Sequence, residues 1–268
     1  MPLVLIVLLS IVAAAVQAAC SGAVTGQTVL LLIGCFFGLN LLYAILWVIV
    51  ASTIDDTKPL AKQSELCRIG CASICSWLCA WGRVRVRLLG EEKLPKEGRF
   101  VIVSNHRSAF DPVCTLLPLK EYNIAFISKP SNLKLPFIGK LGYGAGFLPI
   151  DRENDRAALK SILTAADYLK RGLCSICIYP EGTRSKDGEL LPFHAGSFKI
   201  AQRANVPMAV ACIRGTEKVR RNFPLRRTAV TLEILEVLPP EQVKAMSTQE
   251  LAARSREEIE AALKEESA

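Results

Sequence analysis

Apolar residues fall along this chain in two regimes. Up to about residue 52 they form long runs: Leu3 to Ala19, broken only by Ser10 and Gln17, and then Val29 to Ala51. At 1.5 Å per helical residue the second run reaches about 34 Å and the first about 25 Å, against a hydrocarbon core of about 30 Å. The expectation is a transmembrane hairpin over residues 1–52. Its first segment is marginal and remains open to three readings: spanning, cleaved as a signal peptide, or lying on the surface. No lysine or arginine precedes that segment, which disfavours the signal peptide. Gly34 and Gly38 form a small-x3-small pair suited to close helix packing.

Residues 53–82 read as a linker and an interfacial helix carrying Trp77 and Trp81, with a helix packed on the domain core as the alternative. From Arg83 onward the apolar runs shorten and turn residues separate them. Strands are predicted at 84–89, 100–104, 124–128, 147–150, 175–179, 208–213 and 229–237. Between them, Leu159, Ile162, Leu163, Ala166 and Leu169 repeat at helical spacing over 156–170, with Gly172 as a stop. A shorter helix is expected at 196–204. Ser247-Thr248-Gln249-Glu250 resembles a capping box before a charged C-terminal helix, residues 241–268. Alternating strands and helices predict an α/β sandwich whose function lies in the strand-to-helix loops, over residues 83–240.

Charge and cysteine content sharpen this picture. The net charge is +8, with a basic cluster at Arg214, Lys218, Arg220, Arg221, Arg226 and Arg227. Such a surface suits phosphates or anionic headgroups. No nucleic-acid motif accompanies it, so a membrane and a phosphorylated substrate are the expected partners, beside the plainer reading of a solvated basic face. The chain has 10 cysteines, most of them among apolar neighbours, which points to free thiols in a reducing compartment. Cys67, Cys71, Cys75 and Cys79 recur every fourth residue. On a helix the outer pair lies about 18 Å apart, too far for one zinc site, so no metal is expected. Lys58, Lys62 and Arg68 follow the second apolar run while the 20–27 connection has no basic residue, which predicts a cytoplasm-facing catalytic region.

The richest stretch for chemistry is Asn105-His106-Arg107-Ser108-Ala109-Phe110-Asp111, directly after the Phe100–Ser104 run. Histidine suits proton transfer near neutral pH, and a nearby carboxylate can fix its tautomer. Asp111-Pro112 is also the signature of a helix start. His106 as base and Asp111 as its orienting partner is one reading, and a helix cap is the other. Asn105 and Ser108 are expected to shape the turn.

Taken with three further stretches, this heptad resembles the glycerolipid acyltransferase family. The Asn-His-x4-Asp motif is matched by Asn105, His106 and Asp111. The second motif is similar to Gly146-Phe147-Leu148-Pro149-Ile150-Asp151-Arg152, the third is Pro180-Glu181-Gly182-Thr183-Arg184, and the fourth is Val206-Pro207-Met208. The resemblance covers about residues 83–240. It departs from the family's pattern at His194, near which a lysine is usual, and at Met208, where a β-branched residue is.

The resemblance implies a mixed sheet flanked by helices. It implies transfer of an acyl group from acyl-coenzyme A or acyl carrier protein, as co-substrate and with no cofactor, to lysophosphatidic acid. Glycerol 3-phosphate or a lysophospholipid is the alternative acceptor, and a catalytically silent lipid-binding protein on the same fold is the rival of another class. His106 and Asp111 are the expected catalytic pair. Arg152, Glu181, Gly182, Thr183 and Arg184 are the expected substrate-binding residues. Arg184 would grip phosphate, Gly182 would let backbone approach the ligand, and Glu181 would position Arg184 or accept from a glycerol hydroxyl.

Overall fold

A computed structural model describes residues 2–58, 60–151, 154–185 and 189–265. Three helices come first: α1 (Pro2–Ser21), α2 (Gly26–Ser52) and α3 (Glu65–Trp81). Seven strands follow: β1 (Val84–Leu89), β2 (Val101–Ser104), β3 (Ile124–Ser128), β4 (Leu148–Pro149), β5 (Ser175–Ile178), β6 (Met208–Arg214) and β7 (Thr228–Leu238). They form one sheet in the order β1-β7-β6-β2-β5-β3-β4, parallel except for the antiparallel β6/β7 pair. Interleaved with them are α4 (Asp111–Leu116), α5 (Pro130–Leu133), α6 (Ile138–Gly144), α7 (Asp155–Lys170), α8 (Lys199–Ala204) and α9 (Val219–Asn222). Last come α10 (Pro240–Ala245) and α11 (Thr248–Glu265). The expected mixed α/β sheet flanked by helices is what the chain forms.

The central strands are covered on both faces, which is why they read as continuous apolar runs. One face, with Val101, Val103, Ile176 and Val210, packs under α7, α8 and α11 through Ile162, Leu169, Ile200, Leu251 and Ile259. The other, with Phe100, Ile102, Cys177, Ala209 and Ile213, packs under α3 and α4 through Cys79, Cys114 and Leu116. Each such side chain contributes about 1.5–3 kcal/mol when fully buried. Asn154 caps α7 by accepting from Ala157 N (3.1 Å). The Ser247/Glu250 box opens α11: Ser247 N donates to Glu250 Oε2 (2.7 Å), and Glu250 N to Ser247 Oγ (3.2 Å).

The N-terminal helices form a hairpin. Two of its polar groups are satisfied within it: Ser10 Oγ donates to Ile6 O (2.8 Å), and Thr28 donates across to Gln17. The outward face is almost wholly apolar, with Leu30 71%, Phe37 62% and Leu41 62% exposed. Gly34 and Gly38 do not serve as the close-packing pair expected of them. A Cβ at either would meet nothing within 4 Å, because this face of α2 points away from α1 and α3.

Helix α3 lies between the hairpin and the sheet, which is the packed alternative given for residues 53–82. Its cysteine stripe faces inward, with Cys67 and Cys79 buried, and all ten cysteines are free thiols. Its other face meets α2: Trp77 Nε1 donates to Asn40 Oδ1 (2.9 Å), and the Tyr43 and Ser73 hydroxyls are 2.8 Å apart. Trp47 lies so close over Gly70 that a Cβ there would come within 2.7 Å of the ring.

Candidate active site

Because β2, β5 and β6 run parallel to one another, their C-terminal ends open on one edge of the sheet, where ligands of open α/β folds gather. His106 follows β2, Glu181 follows β5 and Thr216 follows β6. The strand order thus brings together residues far apart in the chain. Asn105 ties two of these ends. Its amide nitrogen donates to Ile213 O (2.9 Å) and its oxygen accepts from Ile213 N (2.8 Å), continuing the β2/β6 ladder with a side chain.

Asp111 is fully buried and heavily bonded. Oδ2 lies 2.7 Å from His106 Nδ1 and accepts the backbone N–H groups of Arg107 (2.7 Å) and Ser108 (2.7 Å), while Oδ1 accepts from the Thr216 hydroxyl. Asp111 also begins α4, with Pro112 next, so the helix-start signature was real. Its carboxylate, however, turns back to the preceding loop and Phe110 holds the N-cap position, so the helix starts where expected but Asp111 does not cap it. Thr216 can reach the carboxylate because Gly215 adopts φ +88°, where a Cβ would sit 2.4 Å from Ala229 O.

The His106 ring stacks on Tyr179, with centroids 4.5 Å apart and planes at 15°. Burial raises the Tyr179 phenol well above its usual range, so this face of the imidazole meets a neutral ring. With Nδ1 bonded to Asp111, the tautomer that carries the proton on Nδ1 leaves the Nε2 lone pair for a reacting proton.

Glu181 is placed differently from the substrate contact expected of it. It is 4% exposed, and its oxygens accept from His106 N (2.5 Å) and Leu191 N (2.9 Å). It is therefore a brace between the histidine turn and the chain that returns from the third motif. Burial raises its pKa, and the two backbone N–H groups act in the opposite direction. Ser185 N completes the brace by donating to His106 O (3.0 Å).

Gly182 has φ +76°, a turn requirement, and Thr183 and Arg184 emerge from it exposed. Arg152 lies outside the described residues. Among those residues no group of three or more His, Cys, Asp and Glu side chains is placed to hold a metal ion.

Beside the histidine turn lies a cleft of about 1080 Å³. Its walls begin one residue after His106, with Arg107, Ser108 and Phe110, and include Arg184, Arg220 and Glu217; the last lies 3.9 Å from Arg107. The opposite wall is apolar, with Trp77, Leu78 and Trp81 of α3 beside Val219 and Phe223. Cations at one side and a large apolar surface at the other suit an amphiphile that carries a phosphate.

Sequence reading missed Tyr179 and Thr216. In the sequence Tyr179 reads only as the end of a strand, and Thr216 carries only the weak signal of a Gly-Thr after an apolar run.

Fold and site together describe an α/β domain with a histidine–carboxylate pair at the strand ends, and the comparisons agree. A family model described as Acyltransferase matches residues 85–214. A 1-acyl-sn-glycerol-3-phosphate acyltransferase from Salmonella typhimurium is 35% identical over 162 residues, 59% of this chain and 64% of that protein. The protein of the same name from Escherichia coli (strain K12) is 34% identical over 166 residues, 61% of this chain and 66% of that protein. The crystal structure of the 1-acyl-sn-glycerophosphate (LPA) acyltransferase PlsC from Thermotoga maritima superposes with TM-score 0.55 at 26% identity, covering 72% of this chain and 80% of that one. Over residues 85–214, just under half of its length, the chain is similar to these acyltransferases. It spans just under two thirds of the length of the two curated relatives, 64% and 66%.

Proposed function

We propose that this protein transfers a fatty acyl group from a thioester, acyl-coenzyme A or acyl carrier protein, to the free hydroxyl of lysophosphatidic acid, giving phosphatidic acid. The observation that carries the reading is the 2.7 Å contact between His106 Nδ1 and a fully buried Asp111. A binding module has no need of an imidazole held in one tautomer. The cleft with arginines on one side and aromatic rings on the other supports the acceptor assignment, as do the names of the relatives.

In this reading His106 Nε2 takes the proton of the acceptor hydroxyl as its oxygen attacks the thioester carbonyl. Asp111 stabilises the imidazolium that forms. The tetrahedral intermediate collapses, the carbon–sulfur bond breaks, and the departing thiolate takes the proton from Nε2. No enzyme-bound acyl group is needed, because the thioester is already activated. The backbone N–H groups of residues 106–108 are committed to Glu181 and Asp111, so the developing oxyanion is met by other donors. Arg184, on the cleft wall, grips the acceptor phosphate.

The apolar hairpin holds the protein in the membrane. The basic residues after α2, absent from the α1/α2 connection, put the catalytic domain on the cytoplasmic side.

The test is acyl transfer by detergent-purified protein given lysophosphatidic acid and an acyl thioester, beside a folded His106→Ala variant. Product that collapses in the variant is expected. Product that survives removes His106 as the base, and no product from either with acceptor and donor panels exhausted favours a lipid-binding protein.

A further inference from the structure

Beyond the residues that line the cleft, the segment between Thr216 and β7 has no place in the chemistry above, yet it is built unusually. It reads Val219-Arg220-Arg221-Asn222-Phe223-Pro224-Leu225-Arg226-Arg227, and every residue from Phe223 to Arg227 is exposed. Phe223 is 52% and Leu225 80% exposed. A single exposed leucine needs no explanation. Here two apolar side chains stand at the tip of a loop with two arginines on each side.

The loop is held in this shape. Arg226 N donates to Asn222 O (2.8 Å), the Asn222 amide to Thr228 Oγ1 (3.0 Å), and the Arg83 guanidinium to Leu225 O (2.8 Å). Its tip is therefore fixed outward by bonds to its own backbone and to the start of β1. The acidic groups nearest in sequence are engaged elsewhere, Glu217 facing Arg107 at 3.9 Å and Glu233 pairing with Arg214. Exposed Arg85 and Arg87 on β1 extend the same charge.

The loop is also continuous with the lipid-facing surface. Phe223 shares the cleft wall with Trp77 and Trp81, and the Trp81 ring lies 5.7 Å from Phe36 of α2. Hairpin, tryptophans and loop thus form one apolar path, edged at the loop by cations.

We propose that the Val219–Arg227 loop is a second membrane contact, which inserts Phe223 and Leu225 into a bilayer surface that contains anionic lipid and presses the cleft mouth against it. Its arginines meet headgroup phosphates while the tip enters the acyl boundary, as amphipathic interfacial elements do. Each cation near such a surface multiplies local partitioning about fivefold. An acidic carrier protein would satisfy the arginines, but it offers no reason for an apolar tip continuous with the hairpin. The inference rests on the membrane association proposed above and not on the acyl-transfer chemistry.

The test uses the full chain in lipid nanodiscs, carrying Leu225→Trp, with brominated acyl chains as a contact quencher of tryptophan. Discs of phosphatidylcholine alone are compared with discs that also contain phosphatidylglycerol. The emission added over wild type is expected to be quenched in the anionic discs. The quenching should weaken in phosphatidylcholine alone and be lost when Arg221, Arg226 and Arg227 are all changed to alanine. Quenching of the wild-type tryptophans reports hairpin insertion separately, so failure of the hairpin reading and failure of the loop reading are distinguishable. Added emission that stays unquenched in both discs, or is quenched equally without the arginines, overturns the proposal. So does emission that ignores lipid composition and shifts on adding acyl carrier protein.

Discussion

Two turns meet at the His106 backbone, and they are built on opposite plans. In the turn from Asn105 to Asp111 every backbone N–H from residue 106 to 108 ends on a buried carboxylate, and the Asn105 side chain is locked to the neighbouring strand. In the turn from Glu181 to Ser185 the first residue is buried, and the next ones rise into solvent, with Thr183 and Arg184 exposed. A proton-transfer group must be held in one geometry before the substrate arrives, whereas a group that grips a flexible phosphorylated lipid gains from reach. Glu181 joins the two plans, since it belongs by sequence to the second turn and by contact to the first.

That contrast is broken most severely by His106→Ala. It should lower kcat by about 10²–10⁴ with a modest fall in the thermal unfolding midpoint from the one bond lost at Asp111, as steady-state kinetics beside calorimetry would show. Asp111→Asn keeps the shape but offers an amide where three donors converge, and it releases the tautomer. A loss in kcat of about 10²–10³ is expected, together with a larger fall in the midpoint, which separates it from the histidine change. Glu181→Gln leaves one backbone N–H facing an amide nitrogen. Urea titration should show a loss of about 1–3 kcal/mol, and kcat should fall about tenfold as His106 loosens. If only KM moved, Glu181 would belong to the substrate after all. Arg184→Lys tests the exposed turn: losing a bidentate grip should raise KM for the acceptor about tenfold with kcat nearly constant. Least affected is Thr216→Val, which removes one hydrogen bond to Asp111 for about 1 kcal/mol and a few-fold in kcat, visible as a small shift in both assays.

Much of this architecture is written locally in the chain. All seven strands described lie within a residue or two of where short apolar runs between turn residues put them, because the central strands, buried on both faces, announce themselves by composition, and β1 and β7 by alternation. The α7 and α11 boundaries follow from Asn154, Gly172 and the Ser247/Glu250 box, which act on their own neighbours. His106 and Asp111 were legible because five residues of chain hold them together. What escaped is what sheet order delivers. Tyr179 comes to the ring from β5 and Thr216 to the carboxylate from β6, and no spacing records that β2 lies between those strands. Glu181 was legible as a site residue through the resemblance, but its role was not: its partners are backbone N–H groups, which every residue carries and no sequence displays. Gly34 and Gly38 show the converse, a local pattern with no partner helix to use it.

The bond from Trp77 to Asn40 and the contact of Trp81 with Phe36 place the cleft wall one side chain away from a helix whose other side is exposed and apolar. On the reaction and membrane attachment proposed above, the lipid acceptor arrives by lateral diffusion within a sheet rather than from bulk water. Its effective concentration is a mole fraction of the surface, set by how crowded that sheet is, and diluting the vesicles leaves it unchanged. Saturation curves plotted against bulk molarity would differ from one vesicle preparation to the next, and they would collapse onto a single curve when replotted against surface composition.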